Sequence, residues 1–275
     1  MRRRGCVVLV LGFLGWGVEL AAQFKPEEVA EFPRWEEFLR TADAGDERQM
    51  SEHEGVTRPW SLTLEKDGVR RPAIWKDVLG VKRGYLESWK TEIAAYRLSC
   101  FLGLNMVPPA VERVFHGRPG CCVLGVDYWM DFDQIAKKKL NPPGIKANLF
   151  FKAVCLQRAF DNLIANEDRH RRNFLIRDDW GMILIDHSRS FRTTREFTKR
   201  LIYDENNRES SKFIMATLPR TFVEKLRGLD FGAIRDVVGD YLSDEQIQAV
   251  LARRDLMIAW IEKRVRDFGE AAVLY

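Results

Sequence analysis

Apolar residues change their spacing along this chain, and each change marks a new kind of element. Between Phe24 and Met50, Phe32, Trp35, Phe38 and Leu39 stand at helical intervals in a charged background with two prolines, which predicts a short amphipathic element packed on the domain behind it. From Glu52 the pattern shortens to strands. Gly55 to Leu64 reads as a turn and a strand, Asp67-Gly68 as a hairpin turn, and Arg71 to Lys76 as the returning strand. Trp89, Ile93, Tyr96, Cys100, Phe101 and Leu104 then recur at three- and four-residue steps. That spacing predicts a helix with one buried face over Tyr85 to Leu104, closed by Gly103 and followed by Pro108-Pro109. Val111 to Phe115 and Cys121 to Val126 are two further strands around the turn His116 to Gly120.

The second half reads differently. Asn148 to Ile164 is apolar enough for a long buried helix, and Asn173 to Arg177 and Gly181 to Ile185 form a short hairpin across Asp178 to Gly181. Helices follow over Leu218 to Leu226 and Ala233 to Val238. The last opens on the capping box Ser243-Asp-Glu-Gln246 and carries Ile247, Val250, Leu251, Met257, Ile258, Ile261 and Val265 on one face. Strands first and helices after give the α+β class. No Pro/Gly-rich linker and no internal repeat interrupts the chain.

Composition changes this picture little. The 275 residues, 46% hydrophobic and 31% charged, suffice for one bilobed domain or two small ones. Arg2, Arg3, Arg4 and Glu19 supply two of the four net positive charges, so the remainder carries +2, and no nucleic-acid surface is expected. Residues 1–22 join three arginines to the apolar run Cys6 to Val18 and a small-residue end. They have the shape of a secretory signal peptide, or of an N-terminal membrane anchor if uncleaved, and predict export of the rest. Adjacent Cys121 and Cys122 would form a strained ring if bonded to each other, and buried thiols are the simpler reading.

Phe160 to Phe191 holds the candidate chemistry: Asp161, Asn162, Asn166, Asp168, Arg169, His170, Asn173 and Asp186 are held apart by apolar segments. Asp168 and Asn173 fall on the loop after the long helix, and Asp186 ends the hairpin. Asp161 and Asn166 can brace that loop through hydrogen bonds or cap the helix end. Phosphoryl transfer uses such a set, with one carboxylate taking the proton of the attacking hydroxyl while an Asn and a second carboxylate hold Mg²⁺ on the nucleotide phosphates. The five-residue step from Asp168 to Asn173 is common by chance. The full pattern Asp-Arg-His-x-x-Asn, Leu-Ile-Asp, Ser-Phe is far more specific.

At these residues the chain resembles the atypical kinases: the phosphoinositide 3/4-kinase-like superfamily with its bacterial members, the HipA toxin kinases and the secretory-pathway kinases. The resemblance implies a bilobed kinase-like fold, with an N-terminal extension over 23–50, a small antiparallel β lobe with one helix over 51–126 and a helical lobe over 127–275. It implies an ATP-dependent transferase with Mg²⁺ or Mn²⁺ as cofactor. Asp168 would be the catalytic base, Asn173 and Asp186 the metal ligands, and Gly55, Thr57 and Lys76 the contacts to nucleotide. Glu92 would hold Lys76, and Arg169 and His170 would support the loop or the phosphates. His187 and Ser188 replace the Phe-Gly of conventional kinases after the metal-binding Asp, so switching of that type is not carried over. The acceptor is a hydroxyl of unknown kind, on a protein, a lipid headgroup or a small molecule.

Two alternatives stay open. An inactive relative would use the fold as an exported nucleotide-binding scaffold, as the lone glycine of the Gly55 loop allows. A metal-dependent hydrolase would use Asp168, His170, Asp186 and His187 as its set.

Overall fold

Period-two alternation in the strands aims one set of side chains at a small core and the other at a cleft. The structure, a computed structural model, describes residues 23–52, 56–204 and 215–275. The expected export signal, Gly55 and most of the polar loop after Tyr203 lie outside the described residues. The first half runs α1 (Pro26–Ala30), α2 (Phe32–Thr41), β1 (Asp43–Gln49), β2 (Trp60–Lys66), β3 (Val69–Lys76), β4 (Leu79–Lys82), β5 (Tyr85–Ser88), α3 (Trp89–Phe101), β6 (Ala110–Phe115) and β7 (Arg118–Leu124). The second runs β8 (Met130–Asp131), α4 (Phe132–Lys137), α5 (Ile145–Ile164), β9 (Phe174–Ile176), β10 (Met182–Leu184), α6 (Arg195–Lys199), α7 (Arg220–Arg227), α8 (Phe231–Val238), α9 (Asp244–Phe268) and α10 (Glu270–Val273).

An antiparallel sheet of order β1-β2-β3-β7-β6 makes the first lobe. Its two main turns are tight because both central residues take positive φ, Asp67 (51°) and Gly68 (74°) in one, His116 (49°) and Gly117 (75°) in the other. The second turn is therefore shorter than the His116 to Gly120 loop expected from sequence. On β3, Ala73 and Trp75 face α2 in a small core with Phe38, Leu39, Leu62, Leu64, Val111 and Cys122. Ile74 and Lys76 face the other way, into the cleft. The same alternation puts Cys121 and Cys122 on opposite faces of β7, where both are free buried thiols. Gly120 lets β7 cross here, since a Cβ would stand 2.5 Å from the Lys76 carbonyl and 2.7 Å from the Trp75 ring.

In the first lobe, two parts are not marked by apolar spacing. β1 reads Asp-Ala-Gly-Asp-Glu-Arg-Gln and every residue is exposed, so there is no alternation to detect; β2 holds it through backbone pairing, and its charges blunt an open edge. The hairpin β4–β5 takes the stretch expected to open the helix. Val81 pairs with Leu86 and Lys82 with Tyr85, and α3 starts at Trp89, where Ser88 accepts a bond from the Lys90 N–H at 3.2 Å.

The larger core fills the second lobe and runs up under α3, joining Ile93, Leu98 and Leu104 to Phe160, Leu163, Ile183, Phe191, Phe222, Ile247 and Met257. The chain crosses between lobes over Asp127 to Trp129, and β8 then pairs with β9 to give the three-stranded sheet β10-β9-β8. Lys137, Lys138 and Lys139 are exposed, as a solvated charge run should be. Among the described residues no helix is long and apolar enough to cross a membrane.

α1 is anchored to the second lobe by Arg177, whose Nη1 lies 2.9 and 2.7 Å from the two carboxylate oxygens of Glu28. Partial burial raises the Glu28 pKa, but the Arg177 and Lys25 bonds outweigh it and the net shift is downward. A carboxylate depressed in the folded state contributes stability that is present above its unfolded pKa and is lost as pH falls through the folded value. We therefore expect Glu28→Gln to cost about 0.5–1 kcal/mol at pH 7 and to converge on the wild type in urea titrations as pH is lowered past the ordinary carboxylate range.

Candidate active site

Between the lobes lies a cleft of about 570 Å³. Its roof is β3 with the residues near Thr57, and its floor is the stretch from Asp168 to Arg189. Lys76, at the end of β3, points in from the roof. Its Nζ lies 2.6 Å from Glu92 Oε1 and 2.9 Å from Asp186 Oδ1, so one ammonium ties strand, helix and floor together. Burial alone would lower the Lys76 pKa, but the charges of Asp186 and Glu92 reverse this and raise it well above the usual lysine value.

Glu92 sits on the first turn of α3 and is buried, although its place beside Ile93 marks it in sequence as the border of the apolar face. Burial raises its pKa, while Lys76 and the His187 side chain hold it well below the usual carboxylate range; its Oε2 also accepts the His187 backbone N–H at 2.9 Å. Asp186 itself takes φ of 61°, a left-handed conformation uncommon outside glycine, and His187 to Ser190 run back against α3. The Thr91 hydroxyl donates to the His187 carbonyl at 2.9 Å, and the Ser88 N–H to the Ser188 carbonyl at 2.9 Å.

The floor loop is braced from below by the end of α5. That helix stops at Ala165, which is left-handed (φ 48°, ψ 57°), and its last turn presents Asp161. Arg169 turns away from the cleft and donates Nε and Nη2 to the two Asp161 oxygens at 2.9 and 3.0 Å, and Nη1 to the Asn173 and Ile185 carbonyls at 3.0 and 2.8 Å. Gln157 and Asn166 also donate to Asp161. Arg169 thus clamps both ends of the 168–186 stretch from behind, and from there it cannot reach a phosphate in the cleft. His170 is exposed at the cleft wall.

Asp168 opens into the cleft on a loop pinned by its own backbone. Its N–H donates to Asn166 Oδ1 at 3.1 Å, and its carbonyl accepts from Asn173 Nδ2 at 3.1 Å and the His170 N–H at 2.9 Å. The Asn173 amide nitrogen is committed there, which leaves its oxygen as the end suited to a cation. Burial first, then the charges of Asp186 and Glu87, raise the Asp168 pKa, against the opposing pull of Arg189 and His170.

Glu87, Ser188 and Arg189 also line the cleft, and nothing in the sequence spacing singles out Glu87 or Arg189. Glu87 is on β5, inside the expected helix; the Arg83-Gly84 turn between Val81 and Tyr85 is the signal that would have placed a hairpin there. Ser188 donates its hydroxyl to Glu87 Oε2 at 2.6 Å, and Arg189 its Nε to Glu87 Oε1 at 2.7 Å. Of the expected nucleotide contacts, Thr57 reaches the cleft wall with Lys76.

No protein-family model matches the chain. No curated protein matches it by sequence. Among solved structures it is similar to that of hydra Fam20 with sugar, at a TM-score of 0.66 and 14% identity over 93% of this chain and 95% of that one. It is likewise similar to the Golgi casein kinase with Mn/ADP bound, at a TM-score of 0.65 and 13% identity over 92% of this chain and 80% of that one. The fold is kinase-like. A kinase-like fold accounts for the two lobes, for the sheet with α3 above the cleft, and for the helices below it, whereas α2, which packs on the other face of the sheet, is a second helix on a lobe for which the sequence led us to expect one. At this identity the likeness speaks to architecture, so the chemistry rests on the side chains.

The donor set discriminates between the metals that could serve here. Among the described residues no three His, Cys, Asp or Glu side chains are preassembled around one point. A tight protein-only zinc site is therefore not built into the described part of the cleft. His187, needed by a hydrolase set, has its ring buried against Phe160 and Arg169. Asp186 with the amide oxygen of Asn173 is an incomplete oxygen set, suited to Mg²⁺ or Mn²⁺ when phosphate oxygens and water complete the shell.

Proposed function

We propose that the protein is an ATP-dependent phosphotransferase. The observation that carries this reading is the convergence, across one cleft, of Lys76 held by Glu92 and Asp186 with Asp168 on the opposite floor. Nucleotide would lie between the lobes with its phosphates toward Lys76 and Thr57, and the divalent ion would be held by Asp186 and Asn173. When bound, that ion supplies charge neutralisation at the phosphate oxygens. Among the described residues six carboxylates line the cleft, Glu52, Glu87, Glu92, Asp131, Asp168 and Asp186, against Lys76, Arg172 and Arg189. A cleft this negative repels a bare triphosphate, which makes a divalent cation a requirement.

In the transfer, the acceptor oxygen bonds to the terminal phosphorus as the bond from that phosphorus to the bridging oxygen breaks. ADP leaves with the electron pair. The acceptor proton passes to Asp168, whose raised pKa makes it a better base than an exposed aspartate. Arg169, from behind, keeps Asp168 and Asp186 in register.

Support from similarity is of two kinds. The Golgi casein kinase neighbour was solved with Mn/ADP, which favours nucleotide with a divalent metal here. The export-type start fits a compartment of the same sort. The test is transfer of labelled phosphate from ATP to the protein itself and to extract fractions of its own compartment, with manganese and magnesium compared. Chelating the metal should lower nucleotide affinity at least about tenfold, measured by titration calorimetry. A protein that binds nucleotide in metal and transfers nothing to any fraction would be the scaffold instead.

A further inference from the structure

One buried carboxylate at the cleft is not used by this mechanism. Glu87 is 2% exposed, and both of its oxygens are engaged by residues that follow Asp186. Lining the same cleft, Arg189 is held on three sides: Nε on Glu87 at 2.7 Å, the guanidinium over the Tyr85 ring at 4.3 Å, and Nη1 facing Asp168 Oδ2 at 3.2 Å. The hairpin β4–β5 explains how this is built. Its register puts Tyr85 and Glu87 on one face, and that face holds Arg189, while Leu79, Val81 and Leu86 are left exposed.

Resting on the phosphotransferase reading, we propose that Arg189 is a catalytic residue that binds the phosphate being transferred, and that Glu87 is the positioning residue that aims it. Arg189 reaches Asp168 from Glu87, and Glu87 also holds Ser188, whose hydroxyl lies 3.3 Å from Asp186 Oδ1, so the guanidinium stands between the proposed base and the proposed metal ligand, where the terminal phosphate would lie. A guanidinium anchored through Nε keeps its terminal nitrogens for a planar, two-pronged contact with phosphate oxygens. Lys76 already has both Glu92 and Asp186 against it, so its charge is matched, and a second cation is needed for a group that carries charge on three oxygens. Without nucleotide, Arg189 faces Asp168; with the third phosphate present it turns to that phosphate and leaves Asp168 facing the acceptor. ADP lacks the group that Arg189 recognises.

The test compares affinities for MgADP and for a magnesium complex of a non-hydrolysable ATP analogue, by titration calorimetry on the full chain. Arg189→Ala should weaken the triphosphate at least about tenfold, which is about 1.4 kcal/mol, and leave the diphosphate within about twofold. Glu87→Gln should show the same selectivity to a smaller degree, since the arginine is kept but loosened. Because Arg189→Ala leaves Glu87 buried without its partner, the pair Glu87→Gln/Arg189→Met serves as a second variant, each checked by thermal melting. Equal loss for both nucleotides, or no loss for either, overturns the role of Arg189 while leaving the phosphotransferase reading standing. A wild-type chain that binds neither nucleotide overturns both.

Discussion

Asp168→Asn should fold as the wild type does, bind MgATP with similar affinity, and transfer phosphate about 10²- to 10⁴-fold more slowly. The loss follows from chemistry, because an amide of the same shape cannot take a proton from the acceptor. The retention follows from how the loop is pinned. Asn166, His170 and Asn173 hold residue 168 through its backbone N–H and carbonyl, and the substitution leaves those groups untouched. Lys76, Glu92 and Asp186 are likewise unaltered, so the proposed metal and phosphate contacts survive. Single-turnover transfer of labelled phosphate, beside calorimetric MgATP binding, separates these statements. Turnover that persists at the wild-type rate would remove Asp168 from the role of base.

Arg169→Leu should cost about 3–5 kcal/mol of stability, because it leaves a buried carboxylate without its counter-ion. Arg169 and Asp161 have side chains 1% and 0% exposed, so water cannot replace either partner. For a chain of this size the loss corresponds to a fall in Tm of roughly 6–20 °C. Arg169→Leu/Asp161→Leu should recover part of it by removing the stranded charge, whereas the Asn173 and Ile185 carbonyls still lack their donor. Urea unfolding of the single and double variants reads the difference. Equal stability of the single variant and the wild type would mean that the clamp behind the loop is dispensable.

Local signals account for most of what is legible along the chain. Asp67-Gly68 is a turn from any context, Trp89 to Leu104 repeats at helical steps, and Ser243 with Gln246 caps a helix by contacts within four residues. Of the two roles open to Asp161 and Asn166, both residues take the brace under the loop. β1 is invisible because an exposed edge strand has no buried face to pattern. The hairpin β4–β5 merges with the following helix in sequence because Leu79, Val81 and Leu86 are apolar yet exposed, so their spacing reports no core. Glu87 and Arg189 are hidden with it: a lone Glu and a lone Arg 102 residues apart show no sign of each other until the chain folds.

The order of most elements and the chemical types at Asp168, Asn173 and Asp186 were written in the linear chain, since periodicity, turn residues and short spacing act over a few residues. The atypical-kinase resemblance was written there too, in one continuous run. Which charges meet was settled by folding alone. Lys76 reaches Asp186 across 110 positions, and Arg189 reaches Glu87 because a hairpin turns one face to the cleft. Such contacts depend on where the backbone places two distant side chains, and in a low-dielectric cleft that placement sets which groups are charged and what they can hold.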